Sequence, residues 1–121
     1  MLIDSHCHLT HGHYENNLNE VIKDSVDSGV SNFITIGTSV SENIKVIKTA
    51  ESYENVFCTV GIYPHENQEL SMADLQDSLE ENLKVSKKIV GIGECGIDVT
   101  NRDGQRKLED QIPLFEMQLS T

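Results

Sequence analysis

The chain has 121 residues, of which 37% are hydrophobic and 24% are charged, and its net charge is −11. These values suit one folded domain and exclude a disordered chain, and no apolar run reaches the roughly 18 residues of a membrane span. The nine Lys and Arg residues are scattered, which argues against a protein that wraps DNA but not against one that meets phosphates through bound cations. No basic stretch followed by an apolar one opens the chain, and its three cysteines are an odd number, so we expect a cytoplasmic protein.

Short apolar runs rich in β-branched residues predict four strands. They occupy residues 2–6, 32–37, 56–62 and 89–94. The segments between them show helical spacing of apolar residues, and Gly29, which follows the first segment, suits the C-terminal cap of a helix. The repeating apolar positions are Leu18, Val21, Ile22 and Val26, then Ile44, Ile47 and Ala50, then Met72, Leu75, Leu79 and Leu83.

Helix ends carry their own signals. Ser71 and Asp74 have the spacing of a capping box before the third helix. A fourth helix is predicted over much of residues 106–120, either beginning or kinking at Pro113, because proline lacks the backbone N–H that a helix interior needs. Strands that alternate with helices predict an α/β fold with a parallel sheet, here about four βα units in one domain over residues 1–121.

His6 and His8 stand at the end of the first predicted strand. Residues two apart on a strand point to the same face, so the two imidazoles can converge on one cation. Cys7 then points to the opposite face, where we expect it to pack rather than to bind metal. Asp4 shares the histidine face and is a candidate for orienting a ligand. The alternative is that both histidines are simply polar residues at a strand end.

Glu94 ends the apolar run of the fourth predicted strand. A carboxylate there is costly unless it is paired, hydrated or bound to a cation. Ligands of parallel sheets gather at the carboxyl ends of the strands, where His6 and His8 also lie. Glu94 is therefore a candidate ligand that bridges two cations, and a salt bridge to a lysine at the rim is the alternative.

Three further positions carry possible chemistry. His65 follows the third predicted strand in "GIYPHE" and could contact a phosphate, or be an exposed loop histidine. Asp98, just after Glu94, either positions water or a ligand or makes a turn. His11 and His13 form a second His-x-His in a polar stretch and are expected to be solvated loop residues.

Several motifs in order resemble the TatD family of metal-dependent deoxyribonucleases, which belongs to a metallo-hydrolase superfamily built on the TIM (βα)8 barrel. They are "IDSHCHL", "TVGIYPHE" and "IVGIGECGID", followed by Gln111, Phe115 and Gln118. The resemblance implies that His6, His8 and Glu94 are metal ligands. Family members commonly have a histidine where Tyr63 stands, so only His65 matches that loop.

Length separates this chain from a whole barrel, which takes about 250 residues. The resemblance implies two further histidine ligands and an aspartate, the expected general base, on later strands that this chain does not contain. The chain would then be the N-terminal half of a barrel with open, apolar sheet edges. Three explanations stay open: a fragment of a longer protein, a half-barrel that pairs with a second copy or a separate second half, and a stable module with another use.

The resemblance implies hydrolysis of phosphodiester bonds at the 3′ ends of DNA by two divalent cations, with Zn, Mn, Mg and Fe not distinguished. The 121-residue chain alone is expected to have little or no nuclease activity. A related metallo-hydrolase that acts on a cyclic amide or a phosphate monoester is one alternative. A non-catalytic half-barrel that binds metal or self-associates is the other.

Overall fold

The computed structural model describes residues 1–100 and 102–121. Its centre is a parallel four-stranded sheet whose strands lie side by side in chain order. The strands are β1 (Leu2–Cys7), β2 (Val30–Ile36), β3 (Val56–Val60) and β4 (Ile89–Ile92). The helices are α1 (Leu18–Asp27), α2 (Val40–Ser52), α3 (Met72–Val85) and α4 (Leu108–Ser120), and a 3-10 turn spans Gly12–Tyr14. The predicted four βα units are confirmed.

The ends of three helices follow the expected chemistry. The Ser71 hydroxyl accepts a hydrogen bond from the Asp74 backbone N–H at 3.1 Å, as the predicted cap requires. Ser39 caps α2 in the same way, through the N–H of Glu42. Gly29 has a φ of +102°, the left-handed conformation that closes α1 and that residues with a Cβ rarely adopt.

Helix α4 does not begin at Pro113. It begins at Leu108 and continues through the proline, so the expected start at Pro113 is wrong. A proline removes only its own N–H from the helix, and buried residues on both sides of it, Gln111 and Leu114, hold α4 in place.

The core lies between the sheet and the helices. In β3 the side chains of Val56, Cys58 and Val60 are fully buried, whereas Phe57 and Thr59 on the other face are partly exposed. One buried cluster comprises Leu9, Ile22, Phe33, Val46, Ala50, Val56 and Cys58. A second comprises Val60, Ile62, Leu75, Leu79, Leu114 and Met117. The helices therefore cover one face of the sheet and leave the other open.

The edges of the sheet are open as well. Leu2, Ile3 and Val90 on the outer strands are 63%, 60% and 53% exposed. β1 pairs only with β2 and β4 only with β3 in the described part of the chain. The expectation of open edges with exposed apolar residues is confirmed. Within residues 1–100 and 102–121, none of the helices has the length and apolarity that a bilayer crossing demands.

Candidate metal centre

His6, His8 and Glu94 meet at the carboxyl-end rim of the sheet. One ligating atom from each lies within 4.8 Å of the other two, and His6 Nε2 is 3.5 Å from Glu94 Oε2. Two donors bound tetrahedrally to one cation at about 2.1 Å are about 3.4 Å apart, so this donor set fits a divalent ion. The structure brings together the three residues that the sequence predicts as ligands. In the described residues the ion-pair partner of Glu94 is His6 rather than a lysine.

Cys7, between the two histidines, belongs to the core and not to this cluster. Its Sγ donates to the Ile34 carbonyl oxygen at 3.3 Å, and it packs against the cluster under α1 and α2. Burial, assisted by the charge of Asp4, raises the pKa of the Cys7 thiol to about 12. Its contacts with the core confirm the predicted packing role.

Asp4 contacts the backbone beside the site. Its Oδ1 accepts a hydrogen bond from the His6 backbone N–H at 3.2 Å, and its side chain is exposed. The carboxylate therefore holds the main chain of a candidate ligand. The predicted orientation of an imidazole ring by Asp4 stays a prediction.

Glu94 reaches the histidines because the chain after β4 crosses the end of β3. The N–H of Gly93 donates to the Val60 carbonyl at 2.9 Å, and the N–H of Glu94 donates to the Gly37 carbonyl at 2.6 Å. A Cβ at Gly61 would lie 2.4 Å from the Gly93 carbonyl carbon, which no packed atom tolerates. The missing side chain at Gly61 thus permits the crossing that carries Glu94 from β4 towards β1.

Replacing Gly61 with alanine is expected to lower the affinity of the chain for Mn²⁺ by about tenfold or more. The added methyl group displaces the Gly93 backbone, and a small displacement of a ligand's support typically costs 10–100-fold in affinity. Calorimetric titration measures the affinity, and urea unfolding measures the accompanying loss of stability. Gly91→Ala is the matched control, because a Cβ there would meet its nearest neighbour at an ordinary 3.8 Å. Equal affinity in Gly61→Ala and Gly91→Ala would contradict the crossing argument.

A second cluster lies on the same rim. The Tyr63 hydroxyl donates to Asp98 Oδ2, and the Thr100 backbone N–H donates to Asp98 Oδ1 at 2.9 Å. These bonds, that of Tyr63 first, hold the pKa of the Asp98 carboxyl well below its usual range. The same bond raises the pKa of Tyr63. Asp98 thus accepts hydrogen bonds from its own loop and from the loop after β3, and its predicted roles stay predictions.

His65 is not an exposed loop histidine, since its side chain is only 13% exposed. Its Nδ1 accepts a hydrogen bond from the Arg106 backbone N–H at 3.2 Å, and its Nε2 lies 3.5 Å from Asp98 Oδ2. Both ring nitrogens therefore face groups of this chain. The exposed-loop alternative is wrong, whereas the predicted contact with a phosphate stays a prediction.

His11 and His13 lie apart from the metal cluster. Both are exposed, their rings stack at 4.7 Å, and His11 Nδ1 accepts a hydrogen bond from the His13 backbone N–H. The expectation that they are solvated loop residues is confirmed.

Buried amide side chains hold the rim loops, and sequence reasoning assigned them no role. Gln118 bonds to both the N–H and the carbonyl of Ile62, and Gln111 does the same to Asp98. Asn43 accepts from the N–H of Gly61 at 3.1 Å. A signal for the two glutamines exists in the sequence, because both fall on the apolar face of α4 with Leu114, where a polar residue needs a partner.

Sequence comparison shows which known proteins this chain is similar to. A family model described as TatD related DNase matches residues 3–121. The chain is 30% identical over 115 residues to an uncharacterized metal-dependent hydrolase, BU355, of Buchnera aphidicola subsp. Acyrthosiphon pisum, covering 89% of this chain and 44% of that protein. It is also 30% identical over 102 residues to the 3′-5′ ssDNA/RNA exonuclease TatD of Edwardsiella piscicida, covering 80% and 37%.

A solved structure shares the fold. The crystal structure of YjjV, a TatD homolog from Escherichia coli K12, superposes with a TM-score of 0.87 at 26% identity, over 98% of this chain and 45% of that one. The predicted fold, about four βα units of a TIM-type barrel, is confirmed. The chain spans about half the length of the curated relatives it matches.

Proposed function

Because this chain belongs to the family of TatD-related DNases, we propose that it supplies part of the active site of a metal-dependent hydrolase that cleaves phosphodiester bonds at the 3′ end of a DNA strand. The observation that carries the proposal is the convergence of His6, His8 and Glu94 at one rim of a parallel sheet. The names of relatives as metal-dependent hydrolases and as 3′-5′ exonucleases support it.

In this proposal the residues of the cluster have separate tasks. His6 and His8 would hold one divalent cation through their imidazole nitrogens, and Glu94 would contribute its carboxylate to this cation and to a second one. Bound divalent cations supply a lowered pKa for a coordinated water and positive charge for the phosphate. Histidines with a carboxylate suit Zn, Mn or Fe, whereas Mg prefers oxygen ligands, and Glu94 is the only carboxylate of the cluster in the described residues.

Three loop residues lie beside the proposed metal ligands. Asp98 keeps the Tyr63 hydroxyl and the His65 ring on the rim beside Glu94. His65 is proposed to meet the substrate phosphate, which requires its ring to turn from Asp98. We propose that the general base and the remaining ligands are contributed by further barrel strands, so residues 1–121 alone do not complete the catalytic site.

The open sheet supports the same view of the assembly. Leu2, Ile3 and Val90 expose apolar surface at the two edge strands. The solved relative, of which this chain matches 45%, supports the occupant we propose, which is the remaining βα units of a barrel. A second copy of this chain is the competing occupant, and sedimentation that shows a stable dimer would favour it. The cytoplasmic location expected from the sequence also remains a proposal.

Nuclease activity on single-stranded DNA tests the proposed function. The 121-residue chain is expected to bind Mn²⁺ but to leave 3′-labelled single-stranded DNA intact. A chimera in which this chain replaces the matching part of YjjV is expected to shorten that DNA in the presence of Mn²⁺ and to stop when EDTA is added. Glu94→Gln in the chimera provides the control. EDTA-sensitive degradation by the isolated chain, abolished by Glu94→Ala, would overturn the incomplete-site proposal.

A second candidate is hydrolysis of a small amide or phosphate monoester. The net charge of −11 favours it, since a polyanionic strand is repelled by such a chain. A substrate panel with the chimera separates the two. Cleavage of a cyclic amide without attack on DNA would replace the nuclease proposal by this one.

A further inference from the structure

Three lysines of this acidic chain are engaged by other groups of the chain. Lys23 and Lys45 pair with carboxylates of their own helices, and Lys88 donates to three backbone carbonyls. Arg102 and Lys107, both exposed, take part in no ion pair within the part of the chain that the structure describes. Two unpaired cations therefore stand close together in the segment that leads from β4 into α4.

Arg106, between these two residues, fastens their segment to the loop after β3. Its Nε and one terminal nitrogen donate to the carbonyl oxygens of Pro64 and Glu66 at 2.9 and 2.8 Å. Its backbone N–H donates to His65, and its carbonyl accepts from Gln111 at 2.7 Å. The segment is held in place by these contacts, which reduces the conformational entropy that a ligand would have to remove.

The side chains of this segment line a concavity of about 240 Å³. Among its lining residues are Asp98, Arg102, Arg106 and Lys107, three cations against one carboxylate. That carboxylate is already occupied by the Tyr63 hydroxyl and the Thr100 N–H. The concavity is therefore net positive, although Asp103 and Asp110 lie nearby in the sequence.

This concavity adjoins the candidate metal centre through one residue. Tyr63 is bonded to Asp98, which lines the concavity. The hydrogen bond to Asp98 is the main cause of the raised pKa of Tyr63, and the charge of Glu94 adds to this rise whereas that of Arg102 opposes it.

We propose that Arg102 and Lys107 form a phosphate-binding subsite for a nucleic-acid strand, which holds a phosphodiester a short distance from the one at the metal cluster. The inference rests on the proposed function, because it takes the strand as substrate. The guanidinium of Arg102 offers paired donors to phosphate oxygens, and the ammonium of Lys107 offers a compact charge. The acidic remainder of the chain repels the strand elsewhere, so this subsite also orients it.

Binding of a short fluorescent oligo-dT to the full 121-residue chain in EDTA tests the subsite without the metal. Arg102→Gln and Lys107→Gln are each expected to weaken binding about threefold or more and to reduce the salt slope of log K by about 0.7. Lys84→Gln is the matched control, because this exposed lysine lies at the end of α3 and is expected to leave both quantities unchanged.

Other results of these binding measurements would overturn the subsite or the proposed substrate. Unchanged affinity in Arg102→Gln and Lys107→Gln, or an equal loss in Lys84→Gln, overturns the subsite. If Mn²⁺ still enhances oligo-dT binding in these variants and Glu94→Gln abolishes the enhancement, the proposed function survives that failure. If the chain binds Mn²⁺ but does not bind oligo-dT in either EDTA or Mn²⁺, the proposal of a nucleic-acid substrate is wrong.

Discussion

Glu94→Gln is expected to lower the affinity of the chain for Mn²⁺ by more than about 100-fold, since loss of a direct ligand exceeds the 10–100-fold cost of disturbing its supports. Glutamine preserves the size of the side chain and removes its charge. Glu94 is the only anionic donor of the cluster in the described residues, so no neighbour replaces it. Titration calorimetry, or the electron paramagnetic resonance signal of free Mn²⁺, measures the change.

The control for this variant is Glu66→Gln. Glu66 is an exposed carboxylate on the loop after β3 and lies outside the candidate ligand cluster. Its replacement changes the net charge of the chain by the same amount and is expected to leave the affinity within about twofold, as befits a screened surface charge. Equal affinities of wild type and Glu94→Gln would remove Glu94 from the metal centre. Urea unfolding of both variants distinguishes a loss of Mn²⁺ affinity at the site from a global loss of structure.

Gln118→Met is expected to destabilise the fold by about 2–5 kcal/mol. Gln118 is 2% exposed, and its amide bonds to the Ile62 N–H and carbonyl at 2.8 and 3.0 Å. Methionine fills a similar volume but leaves both buried backbone groups without partners, at about 1–3 kcal/mol each. The free energy of unfolding from urea titration is the measurement.

Gln76→Met is the matched control for this substitution. Gln76 is exposed on α3, and within the described residues its side chain bonds to that of Glu80 alone. Its replacement is expected to change the unfolding free energy by no more than about 0.5 kcal/mol, the usual range for a surface site. A similar small change in Gln118→Met would show that the amide does not hold the loop after β3. We also expect Gln118→Met to disturb the rim, because Tyr63 follows Ile62 directly.

Much of the fold and the centre of the site could be predicted from local sequence pattern. Four apolar runs with helical spacing between them are enough to specify βα units, since each element needs only its own periodicity. The alternation of a strand puts His6 and His8 on one face and Cys7 on the other. Glu94 joins them because parallel strands end at a common rim. Of the two alternatives predicted at Pro113, the helix start was wrong, because buried residues on both sides of the proline hold α4 in place, whereas the kink stays a prediction.

The remainder depended on partners that lie far apart in the sequence. Tyr63 and Asp98 are 35 residues apart, and Gln118 and Ile62 are 56 apart, so no local pattern indicates that they meet. The sequence by itself determined the strands, the helices and the face on which the candidate ligands lie. Only the tertiary structure decided that His65 is enclosed, that Gly61 lets the chain cross to bring in Glu94, and that buried amides hold the rim. The physical reason is that side-chain periodicity is a property of one segment, whereas a hydrogen-bond partner or a close backbone approach exists only once two distant segments have packed.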